Sequence, residues 1–301
     1  MKRPLITLLL GLICLDVAAF DVTLSPNLAS ADEPHITRDL EYAHVGETSL
    51  KLDLYVPTQA KSPPLVVWVH GGAWRGGSKK DCPLQPLTAQ GYAVASADFR
   101  LSTVAQFPAQ IHDLKAAIRF LRAKAGELGI NAERIAVTGG SSGGHLAALV
   151  GVTGGVKELE GDVGIQRNQS SDVQAIVVFY GASNLTTILA QSTPHGLSVR
   201  VPALELLLGG QPDAKPELAR LASPVLHVDK TDPPLLWFHG DQDPQMPINQ
   251  ALEMIGAYKK QGLSARFEPV YGAAHGGKQF STPERLQQVA DFLAPILRPA
   301  K

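Results

Sequence analysis

Cysteine is nearly absent from this chain. Its 301 residues contain two, Cys14 and Cys82, and only Cys82 lies beyond the N-terminal segment discussed below. An intrachain disulfide is therefore excluded, and stability must come from packing. An excess of charge of one sign is missing too: 27 Lys and Arg stand against 28 Asp and Glu, a formal net charge of −1. That balance leaves no footprint for nucleic acid or an acidic membrane, and no charged disordered tail. The nine histidines are scattered, with no His-Glu-x-x-His and no cysteine cluster, so no metal pattern emerges.

No apolar run is long enough to span a bilayer comfortably. The longest candidate, residues 5–15, follows Lys2 and Arg3, and Asp16 interrupts it. With the small residues Ala29, Ser30 and Ala31 after it, the segment reads as a secretory signal peptide over residues 1–31, cleaved after Ala31; an uncleaved anchor is the minor alternative. Cys14 follows Ile13 rather than a small residue, so lipid attachment is not expected. The expected location is secreted or periplasmic. Cys82, in a Lys- and Pro-rich loop, reads as a bystander thiol.

What remains is 45% hydrophobic and 18% charged, enough for a sizeable core in one α/β domain or two smaller ones. Alternation over residues 50–56 predicts a half-exposed antiparallel strand pair at a sheet edge, whereas the unbroken apolar run 65–69 belongs in a buried central strand. Further strands are expected over residues 92–97, 173–180, 235–239 and 265–271. Ile111, Leu114, Ala117, Ile118 and Leu121 mark an amphipathic helix over residues 109–124, beside which Asp113 and Arg100 either pair or remain solvated. Helices at 248–260 and 283–297 complete an alternation of strand and helix, which argues a mostly parallel sheet covered on both faces. Residues 181–234 are less regular, with a short helix at 203–208, and are expected to form a cap-like insertion over the strand ends that shapes a substrate pocket. Residues 154–172 read as a loop. Asn168-Gln169-Ser170 and Asn184-Leu185-Thr186 fit glycosylation acceptors, which matter only in a eukaryotic host.

The most informative stretch is Arg134 to Leu149, where a short β-branched run breaks into Gly139-Gly140-Ser141-Ser142-Gly143-Gly144 and then into an Ala- and Leu-rich helical pattern. Strand, tight turn and helix around Gly-x-Ser-x-Gly resemble the nucleophile elbow of α/β-hydrolases. Two registers fit, one on Ser141 and one on Ser142. Because the strand ends at Thr138, Ser141 falls at the bend, and Ser142 opens the helix with its backbone N–H free to face an oxyanion. Two other strand ends carry matching chemistry. Residues 235–239 run into Gly240-Asp241-Gln242-Asp243, where Asp243 is preferred over Asp241 as the acid, and residues 265–271 run into Gly272-Ala273-Ala274-His275. Ser141, Asp243 and His275 thus follow the order Ser, Asp, His and converge on one sheet edge. The turn His70-Gly71-Gly72-Ala73-Trp74 after the central strand offers the N–H groups of Gly72 and Ala73 as oxyanion donors, with His70 bracing the loop.

His70 to Trp74, Asp98 to Leu101, Phe107 to Gln110, Arg134 to Leu146 and His239 to Asp243 are together similar to the bifunctional feruloyl and acetyl-xylan esterase group of α/β-hydrolases, akin to hormone-sensitive-lipase-like esterases. Similarity extends over about residues 42–297. In that group Gly-x-Ser-Ala-Gly-Gly-His aligns Ser141 with the nucleophile; Ser142 replaces the usual alanine, and Ala73 the third glycine of the lipase-like branch. The resemblance implies a cofactor-free serine esterase acting on a small ester or a carbohydrate ester. A small-acyl amidase or arylformamidase and a non-catalytic binding protein on the same scaffold are the alternatives.

Overall fold

The computed structural model describes residues 33–298, so the expected leader over residues 1–31 lies outside them. Eight strands, β1 (His35–Val45), β2 (Thr48–Val56), β3 (Pro64–Val69), β4 (Ala93–Ala97), β5 (Asn131–Gly140), β6 (Ala175–Phe179), β7 (Leu235–Gly240) and β8 (Ala265–Val270), form one sheet in the order β1-β2-β4-β3-β5-β6-β7-β8. The β1–β2 and β2–β4 pairs are antiparallel, and all pairs from β4 to β8 are parallel. This is the α/β-hydrolase fold. The helices are α1 (Ala109–Ala123), α2 (Ala125–Leu128), α3 (Ser142–Val152), α4 (Lys157–Glu160), α5 (Ile188–Gln191), α6 (Pro194–Leu208), α7 (Pro216–Leu221), α8 (Asn249–Gln261) and α9 (Pro283–Leu297).

Central strands are apolar throughout because both faces are covered. In β3, Leu65, Val67 and Val69 enter the cluster beneath α1, α3, α6 and α8, whereas Val66 and Trp68 enter the cluster beneath α9. The antiparallel edge differs from expectation. Only β1 is half-exposed; β2 lies inside the sheet, and its polar Asp53 is buried, receiving Arg38 at 2.7 Å and the Lys79 ammonium. The apolar stripe on α1 packs as read, but its charged side is buried as well. Asp113 accepts Arg100 in a two-pronged pair, and Lys115 and Arg119 reach Glu160, because residues 154–172 fold back over this face and include the single turn α4.

Residues 181–234 differ most. The expected short helix at 203–208 is the end of the fifteen-residue α6, which starts at the N-cap Thr193, whose Oγ1 accepts the Gly196 N–H, and continues through Pro202. Ala203, Leu204 and Leu207 of α6, Ala219 of α7 and the following Ala222 are fully buried in the larger core cluster. The segment therefore builds core rather than cap. Asn184 is buried too, and its amide donates to Glu253 at 2.7 Å, so it is not placed as a glycosylation acceptor.

Candidate active site

The parallel strands end at a common edge. Val69 pairs with Gly139, Gly140 with Phe179, Phe179 with Phe238 and Gly240 with Val270, so the loops after β3, β5, β6, β7 and β8 meet there. Ser141 leaves β5 with φ 56° and ψ −123°, a strained conformation of the kind stored at functional turns. The neighbouring glycines make it possible. A Cβ on Gly139 would lie 2.3 Å from the Gly143 carbonyl oxygen, and one on Gly143 would lie 2.1 Å from that of Val69. Positions two before and two after Ser141 therefore tolerate no side chain.

This geometry separates the two serines. Ser141 Oγ lies 2.8 Å from His275 Nε2 and lines the pocket, whereas Ser142 Oγ is buried without a hydrogen-bond partner among the described residues. His275 Nδ1 lies 2.7 Å from Asp243 Oδ2. Asp243 Oδ1 accepts the N–H groups of Gln245 and Met246, each at 2.8 Å. Burial works to raise the Asp243 carboxyl, but the bond and charge of His275 and the two backbone N–H groups outweigh it and hold the group below the ordinary carboxylate range. An ionised carboxylate only accepts, so Nδ1 carries the imidazole hydrogen and Nε2 is left to accept from Ser141. Asp241 instead takes the Gly272 N–H at 2.7 Å in an exposed turn.

Neighbouring strands lie about 4.8 Å apart, which puts β8 about 14 Å from β5. The His275 loop must cross the end of β7 to reach Ser141. Gly240 permits the crossing, since a Cβ there would lie 2.2 Å from the Ala273 carbonyl oxygen. The Gln242 N–H then ties to that same oxygen at 3.1 Å.

The turn after β3 carries two non-glycine residues at positive φ, Ala73 (52°) and Trp74 (59°), and the Gly72 carbonyl receives the N–H groups of Arg75 and Gly76. Gly72 and Ala73 line the same pocket as Ser141, with their N–H groups bonded to no carbonyl among the described residues. Buried Trp74 braces the turn: its Nε1–H donates to His145 Nδ1 at 3.1 Å, so His145 Nε2–H donates to the Ala222 carbonyl at 2.6 Å. Burial pushes the His145 imidazole down to about 4. His70 is also buried, stacked on Phe99 and bonded to the Gly71 carbonyl.

The pocket measures about 550 Å³ and is lined by Trp68, Asp81, Cys82, Pro83, Tyr180 and Gln245 besides the residues already placed. No residue of 181–234 lines it, which corrects the expectation that this segment shapes the pocket. Tyr180, Gln245 and Trp68 were not singled out from sequence, although Tyr180 sits directly after a buried strand, where pocket residues belong. The Tyr180 ring meets His275 edge-on at 4.9 Å. Burial pushes the Cys82 thiol up to about 12, which suits a bystander. Among the described residues, no group of three or more His, Cys, Asp or Glu is placed to hold a metal.

A family model described as BD-FAE matches residues 52–257. The chain belongs to the BD-FAE family. The span that matches BD-FAE contains Ser141 and Asp243 but stops short of His275, which the fold supplies. The esterase LipC of Mycobacterium tuberculosis is 33% identical over 221 residues, 72% of this chain and 53% of that protein. This chain spans about half the length of the curated relatives it matches, with 62% and 51% of the next two. Among solved structures, a truncated carbohydrate esterase from gut microbiota superposes with a TM-score of 0.78 at 31% identity, covering 88% of this chain and 97% of that one. A bifunctional GH43-CE protein of Bacteroides eggerthii gives 0.79 at 35% identity over 87% of this chain and 35% of its own. Membership of BD-FAE agrees with the resemblance read from the motifs.

Proposed function

We propose that this chain is an exported serine carboxylic-ester hydrolase acting on acetyl or feruloyl esters of carbohydrate, or on similar small esters. The observation that carries the reading is the continuous chain from Ser141 Oγ through His275 to Asp243, at 2.8 and 2.7 Å, on the wall of a 550 Å³ pocket. The carbohydrate-esterase likeness supports the substrate class, and the Lys-Arg start, short apolar run and Ala29-Ser30-Ala31 support export of a chain starting at Asp32.

Ser141 Oγ attacks the ester carbonyl while His275 Nε2 takes its proton. Asp243 fixes the tautomer and stabilises the imidazolium. The carbonyl π pair becomes an oxyanion held by the Gly72, Ala73 and Ser142 N–H groups, where losing one donor costs about 10²- to 10³-fold in rate. Collapse of that intermediate breaks the ester C–O bond, and the alcohol leaves with the His275 proton. Water, deprotonated by His275, then releases the acid and restores Ser141.

The test is an aryl acetate assay beside an organophosphate probe, followed by acetylated xylan, methyl ferulate and short aryl esters in parallel. Turnover with a phosphonyl adduct on Ser141 is expected. An inert chain with no adduct would sink the esterase reading and favour a binding protein on a hydrolase scaffold.

A further inference from the structure

The acid turn is held from below by side chains of a different region. Three successive carbonyls, those of Pro244, Gln245 and Met246, each receive a side-chain donor: Thr193 Oγ1 at 2.5 Å, Arg200 Nη2 at 2.9 Å and His239 Nε2 at 3.0 Å. The N–H groups of Gln245 and Met246 point the other way, onto Asp243 Oδ1. Both faces of these peptides are thus committed, and Asp243 is oriented by a turn that cannot rotate without breaking the outer bonds. Two of the three outer donors come from α6 and its N-cap. Helix α6 approaches closely because residue 196 is glycine: a Cβ there would lie 2.9 Å from the Gln245 carbonyl oxygen.

Arg200 is the unusual member. It is 1% exposed, its second contact is Met246 Sδ at 3.7 Å, and its Nε has no partner among the described residues. A guanidinium buried this way, with no salt bridge among the described residues, is costly unless a nearby negative charge offsets it. Its electrostatic partner is Asp243, one peptide away, and burial still pushes the guanidinium down to about 10. The groups that face it are Asp243, His239 and His145, and both histidines are lowered by burial with a smaller contribution from its charge. A helix that only filled core would place an apolar residue here.

We propose that Arg200 is the positioning residue of the acid turn: its hydrogen bond to the Gln245 carbonyl and its charge together hold Asp243 in line with His275. The proposal rests on the Ser141-His275-Asp243 reading of the site and adds a residue outside the pocket to it. It also gives residues 181–234 a part in the reaction other than covering the substrate.

The test uses the full chain with Arg200→Met and Arg200→Lys, assayed on p-nitrophenyl acetate across pH, with circular dichroism as the check of folding. For Arg200→Met, kcat is expected to fall about 10- to 10²-fold, as a small misplacement near the reacting groups produces. Removing a positive charge behind Asp243 eases protonation of the Asp243–His275 pair, so the acid limb of kcat/KM should move to higher pH. Arg200→Lys keeps the charge but, with a shorter side chain, not the Nη2 hydrogen bond to the Gln245 carbonyl, and should lower kcat with the acid limb unmoved. The far-downfield proton resonance expected of the His275–Asp243 bond should weaken in the Met variant. A folded Arg200→Met with wild-type acid limb and resonance overturns the proposal. If that variant does not fold, Arg200→Lys decides: wild-type kcat, or an acid limb shifted upward, overturns it. Failure of the esterase reading would look different, because the wild-type chain would then show the resonance and no turnover.

Discussion

Adjacent serines in one glycine-rich turn have opposite fates. Ser141 Oγ faces His275, and Ser142 Oγ is buried without a partner. Ser141→Ala should therefore lower kcat by about 10⁴- to 10⁶-fold. Ser142→Ala removes an unsatisfied buried hydroxyl, and should keep kcat within about threefold and leave stability unchanged or about 1 kcal/mol higher. Single-turnover kinetics and thermal melts on both variants check the pair. The sequence put Ser141 at the bend by ending the strand at Thr138; β5 in fact runs on through Gly140, and Ser141 follows it directly as the N-cap of α3. The state of His145 was not legible in sequence, since nothing in Gly-Gly-His shows that its ring is locked between Trp74 and Ala222. That lock has a pH consequence. With His145 pushed down to about 4 by burial, the unfolded chain binds a proton between about pH 6.5 and 4 that the folded chain refuses, so stability falls as pH falls through that window. The contribution is about 3 kcal/mol. His70 and His239, also lowered by burial, act in the same direction. Asp232, pushed up to about 7 by burial, and Asp113, also raised by burial, act in the opposite direction over this interval. The His145 contribution is therefore read as a difference: in urea unfolding at pH 7 and pH 4.5, His145→Asn, less stable at pH 7, should lose less or gain more stability than the wild type.

Among the elements, the strands were legible and their crossings were not. An apolar run of five residues such as 65–69 announces a strand covered on both faces, and the ends of β5, β7 and β8 were placed well enough to bring Ser141, Asp243 and His275 to one edge. Sequence pattern does not show which loop passes over which strand, and so it missed Gly240. It also missed most of α6, because Pro202 sits mid-helix, and it left the charged side of α1 open because the layer covering it is the irregular stretch 154–172. The crossing at Gly240 yields a paired test with one substitution in two settings. Gly240→Ala sets a Cβ 2.2 Å from the Ala273 carbonyl oxygen, so the His275 loop must shift, and a displacement of about 1 Å near the reacting groups costs about 10²-fold in kcat. Gly256→Ala, inside α8 where a Cβ meets nothing within 4 Å, should stabilise the chain by about 1 kcal/mol with kcat unchanged. Equal effects from the two would mean that the β7 end has slack the geometry denies.

At the scale of the whole molecule, the pocket is walled by strand-end turns: residues 68–83 around β3 and the loop after it, 140–141 after β5, Tyr180 after β6, Gln245 after β7 and His275–Gly276 after β8. Composition and periodicity indicated a chain large enough for an insertion, and residues 181–234 were its natural place. The same apolar residues that would line a cap also suit a core, and packing decides between the two only in three dimensions. Here it chose the core: Leu204 and Leu207 are fully buried in the larger core cluster, and Arg200 faces the acid turn instead of the substrate. Access to Ser141 then needs no helix of this segment to move aside. Initial rates on an aryl butyrate, taken from dilute solution through its solubility limit, should follow one saturating curve and level off. A lid opened by an oil–water interface would instead add activity as droplets form. A rise in rate at the solubility limit would show that some part of the chain leaves the pocket during turnover, and crosslinking α6 to the 244–246 turn would locate it, since a crosslink that abolished the rise would identify this segment as the moving part.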